Sequence, residues 1–124
     1  MDGEGNRYKT LPIGNQIWMA ENLKSMKYAN GADIPSGTGA GDIGMESEPK
    51  YWFANEDNFK KVPLYGLLYT WHAVAHVRNV CPTGWHVPSL TEWNEFITYL
   101  GGTVVAGGKM KSSGTIQSGT GLWS

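Results

Sequence analysis

The sequence predicts a single α+β domain in which an N-terminal β-hairpin precedes two helices, with glycine-rich loops between them. The hairpin is indicated by Gly14-Asn15, a recognised two-residue turn between two extended runs at residues 8–13 and 16–21. A second observation is a helix start at Ser89 that is followed by an apolar stripe. The third is composition, since the 124 residues include 17 glycines, about twice the usual share, and six tryptophans. Such a chain is long enough to bury one aromatic core beneath long loops.

The first half of the chain gives short strands and loops. In the second hairpin strand Ile17 and Met19 share one face and Trp18 lies on the other, so we expect burial on both sides. Residues 36–44 are rich in glycine and are expected to form a loop. The aromatic run 51–53 predicts a short strand. Its side chains are either core residues or an exposed platform for a ligand.

Two helices follow. The first is predicted over about residues 67–77, because Leu67, Trp71 and Val74 fall on one stripe of helical period. The second is predicted over 89–100. Its capping box pairs the Ser89 side chain with the backbone N–H three residues on, while the glutamate there accepts from the Ser89 N–H. A proline before this helix and two glycines after it set its ends. Its apolar face consists of Trp93, Phe96, Ile97 and Leu100.

Three separated blocks carry a resemblance to a known family. They are Ile13-Gly14-Asn15-Gln16-Ile17-Trp18-Met19-Ala20-Glu21-Asn22-Leu23, Tyr65-Gly66-Leu67-Leu68-Tyr69-Thr70-Trp71, and Cys81-Pro82-Thr83-Gly84-Trp85-His86-Val87-Pro88 with Glu92-Trp93. In this order they resemble the Fibrobacter succinogenes major paralogous domain family, and the resemblance covers about residues 5–111. It implies a C-type-lectin-like fold, similar also to formylglycine-generating enzymes. It further implies secreted or surface proteins of gut-type, fibre-degrading bacteria.

The resemblance also predicts whether the domain is complete. A C-type-lectin-like fold has its two helices in the first half and its main sheet and ligand loops in the second. Here the two helices are followed by a Gly/Ser/Thr-rich tail at 107–124. The resemblance therefore predicts that the domain 1–124 is truncated, with an incomplete sheet. We expect the helix faces to be covered by residues around 51–53 and Trp123, or by a second copy in a homodimer.

Cys81 is the sole cysteine, so the chain cannot form an intramolecular disulfide. It is interpreted as a buried free thiol, or as a thiol whose partner near the C-terminus of other family members is absent. A catalytic thiol would need a low pKa and a base, and His86 stands five residues away. The formylglycine-generating enzymes work through cysteines in their C-terminal half, which this chain lacks. We assign structural roles to Cys81, Trp85, Ser89, Glu92 and Trp93.

The three histidines of the chain are considered as ligands of a metal site. His72 and His76 are four residues apart on the first predicted helix, and His86 could complete a three-nitrogen zinc site. However, Ala73 stands where the zincin motif has glutamate, and the family usually has an aromatic residue in place of His72. Surface histidines are therefore favoured, and no cofactor is expected. The acidic residues around the aromatic run have no spacing that fixes a glycosidase pair: Glu46, Glu48, Glu56 and Asp57.

The charge balance and the hydropathy of the chain limit the classes of partner and the cellular location that we expect. Ten basic residues against eleven acidic ones argue against nucleic acid or an anionic membrane as an electrostatic partner. No apolar run approaches the roughly 20 residues that span a bilayer, so membrane insertion is not expected. Residues 1–4 resemble the start that remains after a leader is removed. We expect a secreted or cell-surface location.

The leading functional hypothesis is a non-enzymatic extracellular binding or adhesion module, for glycan or a cell-surface protein. It depends on the resemblance and on surplus aromatic side chains, which offer rigid contact area to sugars and proteins alike. The candidate ligand-binding residues are Tyr51, Trp52 and Trp123. The alternatives are an enzyme of formylglycine-generating-enzyme-like fold and a structural spacer of a surface protein.

Overall fold

The computed structural model describes residues 1–110, which mix short strands with short helices. The chain divides into two compact units. The first unit comprises Met1–Leu11 and Ile17–Val87, and the second comprises Pro12–Gln16 and the chain from Pro88 onward. The strands are Thr10–Ile13 (β1), Gln16–Met19 (β2), Trp52–Ala54 (β3) and Leu67–Tyr69 (β4); the helices are Val62–Tyr65 (α1), Trp71–Val74 (α2), Leu90–Tyr99 (α3) and Ala106–Met110 (α4). None of the helices within residues 1–110 has the length and apolar character to cross a bilayer.

The predicted hairpin is confirmed, with β1 and β2 paired in a two-stranded sheet. Gly14 has a φ of 60° at the first central position of the turn, where glycine adopts this conformation without strain. The expectation that β2 is buried on both faces is wrong, because the side chain of Ile17 is 66% exposed. A two-stranded ribbon has too few neighbours to cover both faces of a strand.

A second two-stranded sheet forms the centre of the first unit. Strands β3 and β4 are antiparallel, with Trp52 opposite Tyr69, Phe53 opposite Leu68 and Ala54 opposite Leu67. The strand predicted over 51–53 is thus confirmed, shifted by one residue. Side chains alternate between the faces, so one face enters the core while Phe53 and Leu68 lie on the other. The core of this unit contains Tyr28, Ile34, Trp52, Ala54, Leu67, Ala73, Val80 and Cys81.

The helix predicted over residues 67–77 is wrong in its first half. Gly66 has φ 67° and ψ −152°, a conformation that ends α1 and directs the chain into β4. The Leu67 N–H then donates to the carbonyl of Leu23 at 2.8 Å, and the segment pairs with β3. Helix remains only at α2, where Trp71 is 72% exposed and so lies on no buried stripe. Long-range strand pairing has therefore overridden the helical period of the sequence.

The second predicted helix is confirmed as α3, and so is its capping box. The Ser89 Oγ accepts from the Glu92 N–H at 3.2 Å, and Glu92 Oε2 accepts from the Ser89 N–H at 2.7 Å. Phe96 is the buried residue of the helix, and the Trp93 ring meets it edge-on at 5.7 Å between centroids. The capping box thus gives hydrogen-bond partners to two backbone N–H groups at the start of the helix. Because these partners lie only three residues apart, the sequence alone predicts where the helix begins.

Ser89→Ala is expected to lower the free energy of unfolding by about 1 kcal/mol, because it leaves the Glu92 N–H without its side-chain acceptor. Urea unfolding followed by circular dichroism measures this change. Ser47→Ala is the matched control, since Ser47 is exposed and its side chain has no hydrogen bond within residues 1–110. Equal stability of the two variants would contradict a stabilising role for the cap.

The Gly/Ser/Thr-rich tail at 107–124 begins within a helix, α4. Ala106 is buried and its N–H donates to the Gly102 carbonyl at 3.0 Å, while the Lys109 N–H donates to the Val105 carbonyl at 3.2 Å. These bonds extend helical structure through α4 despite two glycines. The rest of the tail, including Trp123, lies outside the described residues.

Candidate binding groove

The second unit contains an open groove of about 700 Å³ between the hairpin tip and one side of α3. This volume is within the range of small-molecule sites, about 300–1,000 Å³. Residues 13–16 of the hairpin form one wall. The other wall is a polar face of the helix, formed by Thr91, Asn94, Glu95, Thr98 and Tyr99.

The helical wall follows directly from the period of α3. Its five residues stand at offsets of three, four, seven and eight from Thr91, which places them along one face. The apolar residues of the same helix, including the buried Phe96, fall at the positions between them. The amphipathic pattern that buries Phe96 therefore also gathers amide, hydroxyl and carboxylate groups on the groove side.

Two contacts fix the hairpin tip against the helix. Gln16 Nε2 donates to the backbone carbonyl of Glu92 at 3.1 Å and to Glu95 Oε2 at 3.2 Å, so it orients the Glu95 carboxylate. The Tyr99 ring packs against the turn at Gly14, where a Cβ atom would lie 3.0 Å from the ring carbon Cδ2. Tyr99 is nevertheless 65% exposed, so most of the ring is accessible to a ligand.

Several polar groups of the groove have unused hydrogen-bonding capacity. Within residues 1–110 the side chains of Asn15, Asn94, Thr91 and Thr98 make no hydrogen bond. Each amide carries two donors and one acceptor group, and each hydroxyl can both donate and accept. Beside the Glu95 carboxylate and an exposed aromatic ring, the groove thus offers a mixed set of uncharged donors and acceptors. Such a set suits an uncharged ligand that is rich in hydroxyl groups.

The carboxylates in and near the helix do not form a hydrolytic pair. Glu95 faces the groove, whereas Glu92 is engaged by the backbone of Ser89 in the capping box. Glycoside hydrolysis by the common mechanism needs two carboxyl groups across the scissile bond. The described lining of the groove supplies one, Glu95.

Comparison with protein families identifies the chain. The family model of the Fibrobacter succinogenes major domain matches residues 11–122, which is most of the sequence. The chain belongs to this family. A search of curated proteins and a search of solved structures each returned no match.

The aromatic residues proposed from the sequence have different positions in this Fibrobacter succinogenes major domain. Trp52 is 7% exposed and belongs to the core of the first unit, as the core interpretation expected, so its side chain offers little surface to a ligand. Tyr51 is half-buried and its Oη donates to Glu46 Oε1 at 2.7 Å, a bond that raises the pKa of Tyr51. Trp123 lies outside the described residues.

The outer face of the second sheet is a lesser candidate surface in this domain. Tyr51 and Phe53 lie on it with ring centroids 6.4 Å apart, and Leu68 is exposed opposite Phe53. Gly37 allows the Phe53 ring to lie against the chain, because a Cβ on Gly37 would be only 2.0 Å from that ring. This face offers contact area but few polar groups, so it is less suited to a hydroxylated ligand than the groove.

The histidine hypothesis fails in the part of the domain that the structure describes. Helix α2 ends at Val74, so His72 and His76 do not share a helix. The His76 ring packs on another aromatic ring, and its Nδ1 accepts from the Arg78 N–H at 3.2 Å. His86 is exposed, and no group of three His, Cys, Asp or Glu side chains within residues 1–110 could hold a metal ion.

Cys81 and Trp85 lie in or against the core of the first unit. The thiol is free and buried, and burial raises its pKa, the opposite of what a nucleophilic cysteine needs. The Cys81 N–H donates to Asn79 Oδ1 at 3.0 Å, and Asn79 Nδ2 donates to the Trp85 carbonyl at 3.0 Å. Asn79 itself has a φ of 56°, which asparagine tolerates better than most residues.

The acidic residues considered as a glycosidase pair are each engaged in other contacts. Glu46 accepts from Tyr51, Lys50 binds Glu48, and Lys61 binds Glu56. Asp57 accepts from the Thr38 hydroxyl at 3.5 Å. Each of the four carboxylates thus has a partner among its neighbours in the first unit.

Proposed function

We propose that this domain is a non-enzymatic extracellular module that binds glycans through the groove of the second unit. The observation that carries the proposal is the convergence of the exposed Tyr99 ring with the unbonded amides of Asn15 and Asn94. Sugar rings present apolar C–H faces and edges of hydroxyl groups. An accessible tyrosine packs on the first, while amides donate to and accept from the second.

A C-type-lectin-like arrangement and a secreted or cell-surface location belong to the same proposal. The order of elements supports the former, since the hairpin precedes α2 and α3 in the chain. The family resemblance supports the latter. A cell-surface protein partner, alone or with a second copy of the chain, would use the same module for adhesion. Detection of the native protein in surface or culture-medium fractions is the expected result for the location.

Tyr99→Ala and Asn94→Ala are each expected to weaken glycan binding by about tenfold, because each removes one ring contact or one hydrogen-bonding amide. The measurement starts with a broad glycan array and with affinity electrophoresis on xylan, β-glucan, galactomannan and pectin. Isothermal titration with the best ligand then gives the affinities. Asn94→Ala is the cleaner variant, since the Asn94 side chain makes no hydrogen bond within residues 1–110 whose loss could disturb the fold.

Leu90→Ala is the matched control, because Leu90 lies on the same helix, is 77% exposed and does not line the groove. It should bind glycan as well as the unaltered protein. A folded protein that binds no sugar on the array, or one whose affinity is unchanged in both groove variants, would overturn the proposal. An empty array would favour the structural spacer.

The enzymatic alternative has one supporting observation, the Glu95 carboxylate that Gln16 holds toward the groove. An enzyme should release reducing sugars or altered product on prolonged incubation with its bound glycan, and Glu95→Gln should abolish the release. A binding module should leave the glycan intact whether or not Glu95 is replaced.

A further inference from the structure

Glu95 is the charged residue of the groove lining, and much of its hydrogen-bonding capacity is open to a ligand. It is exposed on α3, and its Oε2 accepts from Gln16 Nε2 at 3.2 Å. The other carboxylate oxygen, Oε1, accepts no hydrogen bond within residues 1–110. An ionised carboxylate only accepts hydrogen bonds, at about four positions on its two oxygens. Glu95 therefore presents a fixed, acceptor-only group to whatever enters the groove.

The negative charge of Glu95 has no ion-pair partner within residues 1–110, where the ion pairs all lie in the first unit. The groove lining contains no lysine, arginine or histidine. The described part of the second unit has one basic residue, Lys109, against two acidic ones. The Lys109 ammonium lies after the end of α3, 3.4 Å from where a Cβ atom on Gly101 would be. The charge of Glu95 is therefore available to act on a ligand.

The start of α3 is the other source of positive potential beside the groove, and its capping box already uses it. The Ser89 side chain accepts from the Glu92 N–H, and the Glu92 carboxylate accepts from the Ser89 N–H. A carboxylate at this end of a helix also matches the positive end of the helix dipole. An anion that enters the groove thus meets uncharged amides and hydroxyls together with one carboxylate.

On the basis of the glycan binding proposed for this groove, we infer that Glu95 determines the class of glycan: sugars with a free amine bind best, neutral sugars less well and uronic acids least. An ammonium donates charge-assisted hydrogen bonds to Oε1, and a sugar hydroxyl donates a weaker one. A uronate carboxylate has no donor for Glu95 and is repelled by it. The amides of Asn15 and Asn94 donate to hydroxyl and carboxylate alike, so the order depends on Glu95.

Three oligosaccharides of equal length and with the same β-linked backbone separate charge from shape: oligomers of glucosamine, of glucose and of glucuronic acid. Isothermal titration of the full chain at low salt should give affinities that fall in this order. The expected difference is about fivefold at each step, which corresponds to two unit charges about 4 Å apart in water. Added sodium chloride should reduce both differences, because it screens the charges.

Glu95→Gln removes the charge but keeps the shape of the side chain and an oxygen that can accept from Gln16. It should weaken binding of the glucosamine oligomer, strengthen binding of the glucuronic acid oligomer and change the affinity for the glucose oligomer least. A variant that is merely damaged would bind all three oligomers less tightly. Opposite changes in one variant therefore report the charge of Glu95 rather than the integrity of the groove.

Asp57→Asn is the matched control, because it removes one exposed carboxylate that belongs to the first unit and does not line the groove. It should leave all three affinities unchanged. Equal affinities for the three oligomers, tightest binding of the uronate, or changes of one sign in Glu95→Gln would each overturn the role of Glu95 while glycan binding stands. Absence of binding to all three would also overturn it, and the glycan array then decides separately whether the groove binds glycans.

Discussion

Replacement of Gly66 by alanine is expected to lower the free energy of unfolding by about 3 kcal/mol or more. Gly66 has φ 67° and ψ −152°, a region of backbone space that only glycine occupies without strain. A Cβ at this position would lie 2.5 Å from the Leu23 carbonyl oxygen and 2.7 Å from the Asn22 Cβ. These neighbours are close to the backbone and cannot swing away as a long side chain could. Conformational strain and steric overlap therefore add.

Gly66 lies where the chain changes from helix α1 to strand β4. The Gly66 N–H closes α1 on the Val62 carbonyl at 2.8 Å. The next residue donates to Leu23 at 2.8 Å and opens β4, while Asn22 Nδ2 caps the Tyr65 carbonyl at 3.0 Å. A shift of Gly66 would thus disturb both the end of α1 and the pairing of β4 with β3.

Urea unfolding gives the stability change, and Gly84→Ala separates its two causes. Gly84 has a φ of 86°, but no atom lies within 4 Å of a Cβ built there. This control carries only the conformational cost, about 1–2 kcal/mol. If Gly66→Ala and Gly84→Ala lose the same stability, the close approach to Leu23 and Asn22 contributes nothing and the packing argument is wrong.

Local signals predicted those parts of the fold whose hydrogen bonds are local. The hairpin turn at residues 14–15 and the capping box at Ser89 satisfy backbone groups within a few residues, so the pattern and the structure agree. The segment 67–77 differs because its backbone partners, Leu23 and the strand β3, are distant in sequence. The sequence of this segment has a helical period, but pairing with β3 makes its first three residues a strand.

The groove was not predictable for the same reason. Gln16 meets residues that are 76 and 79 positions away, and no spacing in the sequence indicates that approach. The polar face of α3 was readable as a helical stripe from Thr91 to Tyr99, yet a solvated surface gives an identical pattern.

Trp52→Ala is expected to cost about 3–5 kcal/mol in the free energy of unfolding, the range for deleting a large buried aromatic side chain. Trp52 occupies the core of the first unit and its ring meets Phe59 edge-on, with centroids 5.9 Å apart. Its backbone is also bonded on the side away from β4, accepting from the Gly37 N–H at 2.7 Å and donating to the Pro35 carbonyl at 3.0 Å. The cavity would therefore open where β3 is held on both of its edges, and the backbone cannot collapse to fill it.

Trp71→Ala is the control for Trp52→Ala, because it removes an exposed tryptophan instead of a buried one. Trp71 is 72% exposed, so its removal should change the free energy of unfolding by less than about 0.5 kcal/mol. Chemical denaturation followed by circular dichroism in the far ultraviolet compares the two variants without depending on tryptophan fluorescence. If the Trp52→Ala protein were as stable as the unaltered protein but bound glycan less tightly, Trp52 would be a ligand-binding residue. Its assignment to the core would then be wrong. Loss of stability in the Trp52 variant alone would confirm that this side chain belongs to the core.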